Sequence, residues 1–117
     1  MAKDANDLFR GNLDLMILSV LADGSKYGYL LQQRLSDVSR GMVSLQAGTL
    51  YPILHKLEGE KLVRCRWEET TGRPRKWYEL TAKGRSRLTE RATQWRDVTS
   101  CLEELLSPIL KTLPDPA

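Results

Sequence analysis

Arg73, Arg75 and Lys76 crowd around Pro74 directly after Gly72, in the run Gly72-Arg73-Pro74-Arg75-Lys76-Trp77-Tyr78-Glu79-Leu80-Thr81. No acid interrupts the three cations. Buried without partners, each would cost on the order of several kcal/mol. They therefore face water or an anion, and nucleic-acid phosphate is the best candidate. A second group lies upstream. Gln46 can read adenine, and Gly48 lets a backbone come close. Thr49 offers a hydroxyl, and a methyl to thymine; Tyr51 can donate to a phosphate. His55 and Lys56 can reach bases or backbone. Catalysis lacks its parts, with one histidine, no nucleophile–base arrangement and no Gly-rich phosphate loop. Cys65 and Cys101 have no metal-ligand spacing and read as free, reduced thiols, so no metal or cofactor is expected.

These residues need elements to hold them. Leu13, Met16, Ile17, Val20 and Leu21 recur at helical spacing, with Asn12 as cap and Asp23-Gly24 as stop. A second helix is predicted over about 26–39, with Tyr27, Leu30, Leu31, Leu35 and Val38 inward and Gly41 ending it. A third is predicted over about 45–58, capped by Ser44 or Gln46 and stopped by Gly59. Leu50, Ile53, Leu54 and Leu57 define its inner face. The opposite face carries Gly48, Thr49, Pro52, His55 and Lys56, with Tyr51 at its flank. Val63, Cys65 and Trp67 alternate with Arg64 and Arg66 as a strand. The return strand turns Tyr78 and Leu80 to the buried face, and a flexible tip is expected around Glu69 to Pro74.

A last helix is expected from Thr81, a good N-cap, to about Ser107, before Pro108. Leu88, Trp95, Leu102 and Ile109 repeat every seven residues; Arg91, Val98 and Leu105 follow the first three of them by three. That a/d pattern, imperfect at Arg91, makes Leu88, Trp95, Val98, Leu102, Leu105 and Ile109 a predicted homodimer interface. Packing against the first helix is the competing use of the seam, and both can hold. The fold class is mainly α with a small β-hairpin: a winged helix-turn-helix followed by a long C-terminal dimerisation helix. The expected division is a tail over 1–7, the winged domain over 8–80, the dimerisation helix over 81–109 and a tail over 110–117.

Gly48-Thr49-Leu50-Tyr51-Pro52, Leu57-Glu58, Leu62-Val63, Trp67, the run Gly72 to Thr81 and Gly84-Arg85 together resemble the PadR family of bacterial transcriptional regulators. Gly11-Asn12-Leu13 and Tyr27-Gly28-Tyr29 are also similar. The chain departs from the family at Lys61, where glycine usually precedes the Leu-Val that opens the wing. The short C-terminal helix resembles the small PadR subgroup. The resemblance implies a DNA-binding regulator, with Gln46 to Lys56 on the recognition helix and Arg73, Arg75 and Lys76 on the wing. It further implies that an aromatic on the last helix can line a flat cavity at the dimer centre. Trp95 would then stack a planar effector, with Asp97, Val98 and Cys101 as neighbours. A plain interface tryptophan is the preferred alternative.

Bulk properties agree with a single domain. The chain has 117 residues, 41% of them hydrophobic, and a net charge of +3. Residues 1–54 are neutral overall, 55–91 carry +5 and 92–117 carry −2, so the positive charge gathers at the hairpin. With no apolar stretch of signal-peptide or membrane-span type, the expected location is cytoplasmic. Double-stranded operator DNA is the expected partner. A winged-helix protein-interaction module without DNA binding is the alternative.

Overall fold

Leu13, Ile17, Leu18 and Leu21 recur every three or four residues. In the computed structural model they bury one stripe of helix α1, Leu13–Leu21. The structure describes residues 10–69 and 72–115, so the predicted tail over 1–7 and tip residues Thr70 and Thr71 lie outside it. After a 3-10 turn (Arg10–Asn12) and α1 come strand β1 (Lys26–Tyr27) and helices α2 (Gly28–Val38) and α3 (Ala47–Gly59). Strands β2 (Val63–Glu68) and β3 (Arg75–Leu80) follow, then the long helix α4, Ala82–Leu110. The expected winged helix-turn-helix and long last helix are both present.

The sheet has three antiparallel strands in the order β1-β3-β2. The first of them corrects the expectation that Lys26 and Tyr27 begin a helix: they pair with Tyr78 and Trp77 of β3. Lys26 is buried, and its ammonium is satisfied by the Asp23 carboxylate and the Gly24 carbonyl. That salt-bridged hydrogen bond holds Asp23 below its ordinary carboxylate range. Val38, expected inward, is exposed at the end of α2.

Leu31 and Leu35 of α2, Val43 and Leu45 of the turn, and Leu50, Leu54 and Leu57 of α3 close on α1 from one side. Leu62, Val63 and Tyr78 complete the same core. Leu45 is buried but precedes α3, whose N-cap position is Gln46; its side chain makes no capping bond. α3 ends at Gly59, as expected, but the left-handed residue that closes it lies two positions on. The chain turns at Lys61, which takes a left-handed φ of 63°. There the Leu62 amide bonds the Leu57 carbonyl and the Lys61 amide bonds the Glu58 carbonyl, both at 3.0 Å, a Schellman closure. The glycine usual in the family would sit there without strain; a lysine does so at a cost.

Thr81 caps α4 as expected, its hydroxyl accepting from the Gly84 amide at 2.9 Å and donating to the Lys61 carbonyl at 2.8 Å. Gly84 is the one buried residue of α4. A Cβ there would stand 2.0 Å from the Leu62 carbonyl oxygen, so the helix can approach β2 only through glycine. α4 continues through Pro108 to Leu110, past the expected end. Asn12 does not cap α1. Its Oδ1 instead accepts from Trp95 Nε1 at 2.9 Å and from Arg91 at 3.4 Å, while Arg91 also pairs with Asp14 at 3.8 Å. The irregular Arg91 in the heptad pattern is thus the anchor of α4 on α1.

Candidate nucleic-acid interface

Burying Leu50, Leu54 and Leu57 leaves the other side of α3 to solvent. Gln46, Gly48, Thr49, Pro52, His55 and Lys56 are all exposed, as their phase on the helix requires. The turn before α3 is held by Gln32 Nε2 on the Leu45 carbonyl at 2.8 Å and by the Val43 amide on Ser39 Oγ, also at 2.8 Å. No described residue lies within 4 Å of where a Gly48 Cβ would be, so no packing among the described residues demands glycine at this helical position. Tyr51 is different. Its hydroxyl would be 2.1 Å from a Cβ on Gly28, so the ring rests on the start of α2 and wedges the two helices at a fixed distance.

On the wing, Arg73 and Arg75 are exposed and have no ion pair among the described residues. Lys76 lies apart from them. The β2–β3 register places it opposite Trp67, on the face that carries Cys65 and Tyr78. Its ammonium stands 3.8 Å from Glu58 near the C-terminal end of α3, beside the rings of Trp67 and Tyr78. Burial lowers the Lys76 pKa, but the neighbouring Tyr78, Cys65 and Glu58 raise it by more. Cys65 donates its thiol to the other Glu58 oxygen at 2.7 Å, and that bond together with burial pushes its pKa up. Cys65 is thus a protonated packing group, and Lys76 ties the wing to α3. Trp67, on the same face, reaches past the core edge and is 63% exposed.

Two residues near this surface carry no role in the pattern of charges. Tyr27 and Tyr29 flank Gly28 and line a concavity with Arg73, Pro74 and Arg75. The repeated tyrosines were the signal for them. Only the β1–β3 pairing shows that they meet the wing.

Trp95 is 40% exposed and faces a groove of about 520 Å³ between α1 and α4, lined by Leu15, Met16, Ser19, Ala22, Leu88 and Ala92. Leu88 packs against the chain's own core. Val98 adjoins Trp95 in a smaller hollow. Asp97 and Cys101 are exposed. Asp97 lies about 200° round the helix from Trp95, so one chain does not bring the two together. Val98, Leu102, Leu105 and Ile109 are exposed along α4. The described residues contain no cluster that could hold a metal ion, and no helix among them is long and apolar enough to cross a membrane.

Known proteins share this arrangement. A transcriptional regulator of Mycobacterium tuberculosis is 40% identical over 81 residues, 69% of this chain and 73% of that one. The crystal structure of a PadR family transcriptional regulator from Eggerthella lenta matches with a TM-score of 0.75 and 34% identity, covering 86% of each chain. A PadR-like transcriptional regulator from Bacillus cereus gives a TM-score of 0.76 and 30% identity, over 86% of this chain and 96% of that one. The model of the PadR-like transcriptional regulator family matches residues 17–90, most of the winged domain and the start of α4. With its recognition-type helix, its basic wing and these relatives, the chain belongs to the PadR-like family of transcriptional regulators.

Proposed function

We propose that this protein is a homodimeric repressor that reads a pseudo-palindromic operator, with α3 in the major groove and the wing on flanking phosphates. The observation that carries this reading is the open outer face of α3. Glycine inside a helix costs about 0.5–1 kcal/mol relative to alanine. No described residue occupies the space over Gly48, which leaves room there for something outside the chain. A duplex pressed against Thr49 and its neighbours would fill it. Arg73 and Arg75, exposed and without ion pairs among the described residues, add affinity rather than sequence choice. Dimerisation through Trp95, Val98, Leu102, Leu105 and Ile109 would set two α3 helices about 34 Å apart, one turn of DNA. Release would follow when a planar molecule at Trp95 favours a different spacing of the two winged domains.

The test is fluorescence anisotropy on duplex DNA from upstream of the protein's own gene and from neighbouring promoters, across a salt series. Arg75→Ala should weaken all sequences alike and lower the salt slope by about one unit per protomer. Thr49→Ala should change sequence preference. Gly48→Ala should stabilise the free chain yet weaken operator binding. Absence of salt-sensitive, sequence-selective binding by the wild type would sink the operator claim. Unchanged affinity in Gly48→Ala would remove α3 from the groove.

A further inference from the structure

The concavity of about 620 Å³ lined by Tyr27, Tyr29, Arg73, Pro74 and Arg75 lies where the start of α2 meets the tip end of β3. Its described lining holds two guanidinium groups and two phenols and no carboxylate, and the nearest acid by register is Glu68, opposite Arg75 on β2. Neither arginine has an ion pair among the described residues. Arg75 is held in place all the same. Its guanidinium stacks on the Tyr27 ring at 4.5 Å, and Tyr27 meets Trp77 edge-on at 5.1 Å. Trp77 in turn carries Arg66 at 5.6 Å on the outer face of the sheet. The pairing of Tyr27 with Trp77 fixes this ladder. A stacked guanidinium loses less freedom on binding an anion than a loose one. Tyr29 is 63% exposed, so its ring is not spent on the core. Planar cations and neutral hydroxyl donors around one hollow match a phosphodiester oxygen pair.

We propose that this hollow is a phosphate clamp: Arg73 and Arg75 neutralise, and the Tyr29 hydroxyl donates to, one backbone phosphate of the duplex flanking the half-site read by α3. The proposal rests on the DNA-reading function above and adds the start of α2 to its footprint. A free phosphate or mononucleotide has the same chemistry. The duplex is the better occupant because the hollow is continuous with the wing, whose Arg73 and Arg75 form its wall.

The full-length protein is first used to select a duplex from a random-sequence library. Single neutral methylphosphonates are then walked along each flank of that duplex. One position per half-site should weaken wild-type binding about three- to tenfold, and Tyr29→Phe should lose less at that position, because only the two arginines still respond to the phosphate. Tyr29→Phe should itself lower affinity by a similar factor, with its salt slope and melting temperature unchanged, because a neutral exposed donor has been removed. Arg73→Gln should lower both affinity and slope. Wild-type affinity in Tyr29→Phe, or equal sensitivity of both proteins at every position, would overturn the clamp while leaving the α3 reading intact. Saturable fluorescence quenching by inorganic phosphate or a mononucleotide, lost in Tyr29→Phe and with no position-specific methylphosphonate effect, would overturn it in favour of a small-anion site. If no duplex is enriched, the DNA reading fails and the clamp fails with it.

Discussion

In α3, Leu50, Leu54 and Leu57 are buried by α1, α2 and the sheet; in α4, Gly84 is the one buried residue of 29, while Val98, Leu102, Leu105 and Ile109 stand exposed. Both helices have an apolar stripe of clear periodicity. The difference is what meets it. The winged domain supplies its own neighbours for α3. α4 extends about 43 Å and touches its own domain mainly through its first half, at Gly84, Arg85, Leu88, Arg91 and Trp95. Periodicity therefore says that a face will be covered, and only the fold says whether the cover comes from the same chain.

The largest test of this contrast is a pair of leucines. Leu54→Ala, at a fully buried position, should cost about 3 kcal/mol in urea unfolding. Leu105→Ala, 70% exposed, should stay within about 0.5 kcal/mol at dilutions where the chain is monomeric. It should instead weaken self-association, read by sedimentation. Equal losses at every concentration would mean that the α4 stripe is packed within one chain.

The joint between the two regions is the next target. Gly84→Ala drives a methyl into the Leu62 carbonyl and should lose about 2–3 kcal/mol, with α4 shifted on the domain. A thermal melt close to wild type would show that the joint yields more easily than its geometry implies. At the nearby turn the sign reverses. Lys61→Gly should gain about 1 kcal/mol by relieving a left-handed lysine. A loss would mean that the Lys61 side chain contributes more than its backbone costs.

The smallest effect concerns the anchor of β1. Asp23 is held below its usual value of 3.8, chiefly by the hydrogen bond from Lys26. A depressed carboxylate contributes stability that is whole above the unfolded value and fades as pH falls through the lower folded one. Urea midpoints taken from about pH 5 downward should show this loss in the wild type, and Asp23→Asn should lack it. An identical acid limb in both proteins would remove the pair from the account of β1.

Much of the candidate interface was legible in residue order because it depends on phase. Once Leu50, Leu54 and Leu57 go inward, Thr49, His55 and Lys56 must go outward. The charged tip at Arg73 and Arg75 was legible for a similar reason, since unpaired cations avoid a core. Lys76 shows the limit. It reads like its two neighbours, but strand alternation turns it to the inner face, and pairing then sets it beside Glu58. Asn12 looked like a cap and serves α4 instead, because an acceptor at a helix start bonds whichever donor arrives, here the Trp95 indole from 83 residues away.

The sequence by itself determined the order of the helices and the hairpin, the inner faces of α1 and α3, the polarity of the outer face and the family. These follow from local periodicity, capping and charge, which a linear reading contains. The tertiary structure alone decided that Lys26 and Tyr27 form a third strand, that Tyr51 reaches Gly28 and that Tyr29 lines one hollow with the wing arginines. Each depends on a contact between segments distant in the chain. Such contacts are fixed when a shared core brings the segments together, and no local pattern encodes the meeting.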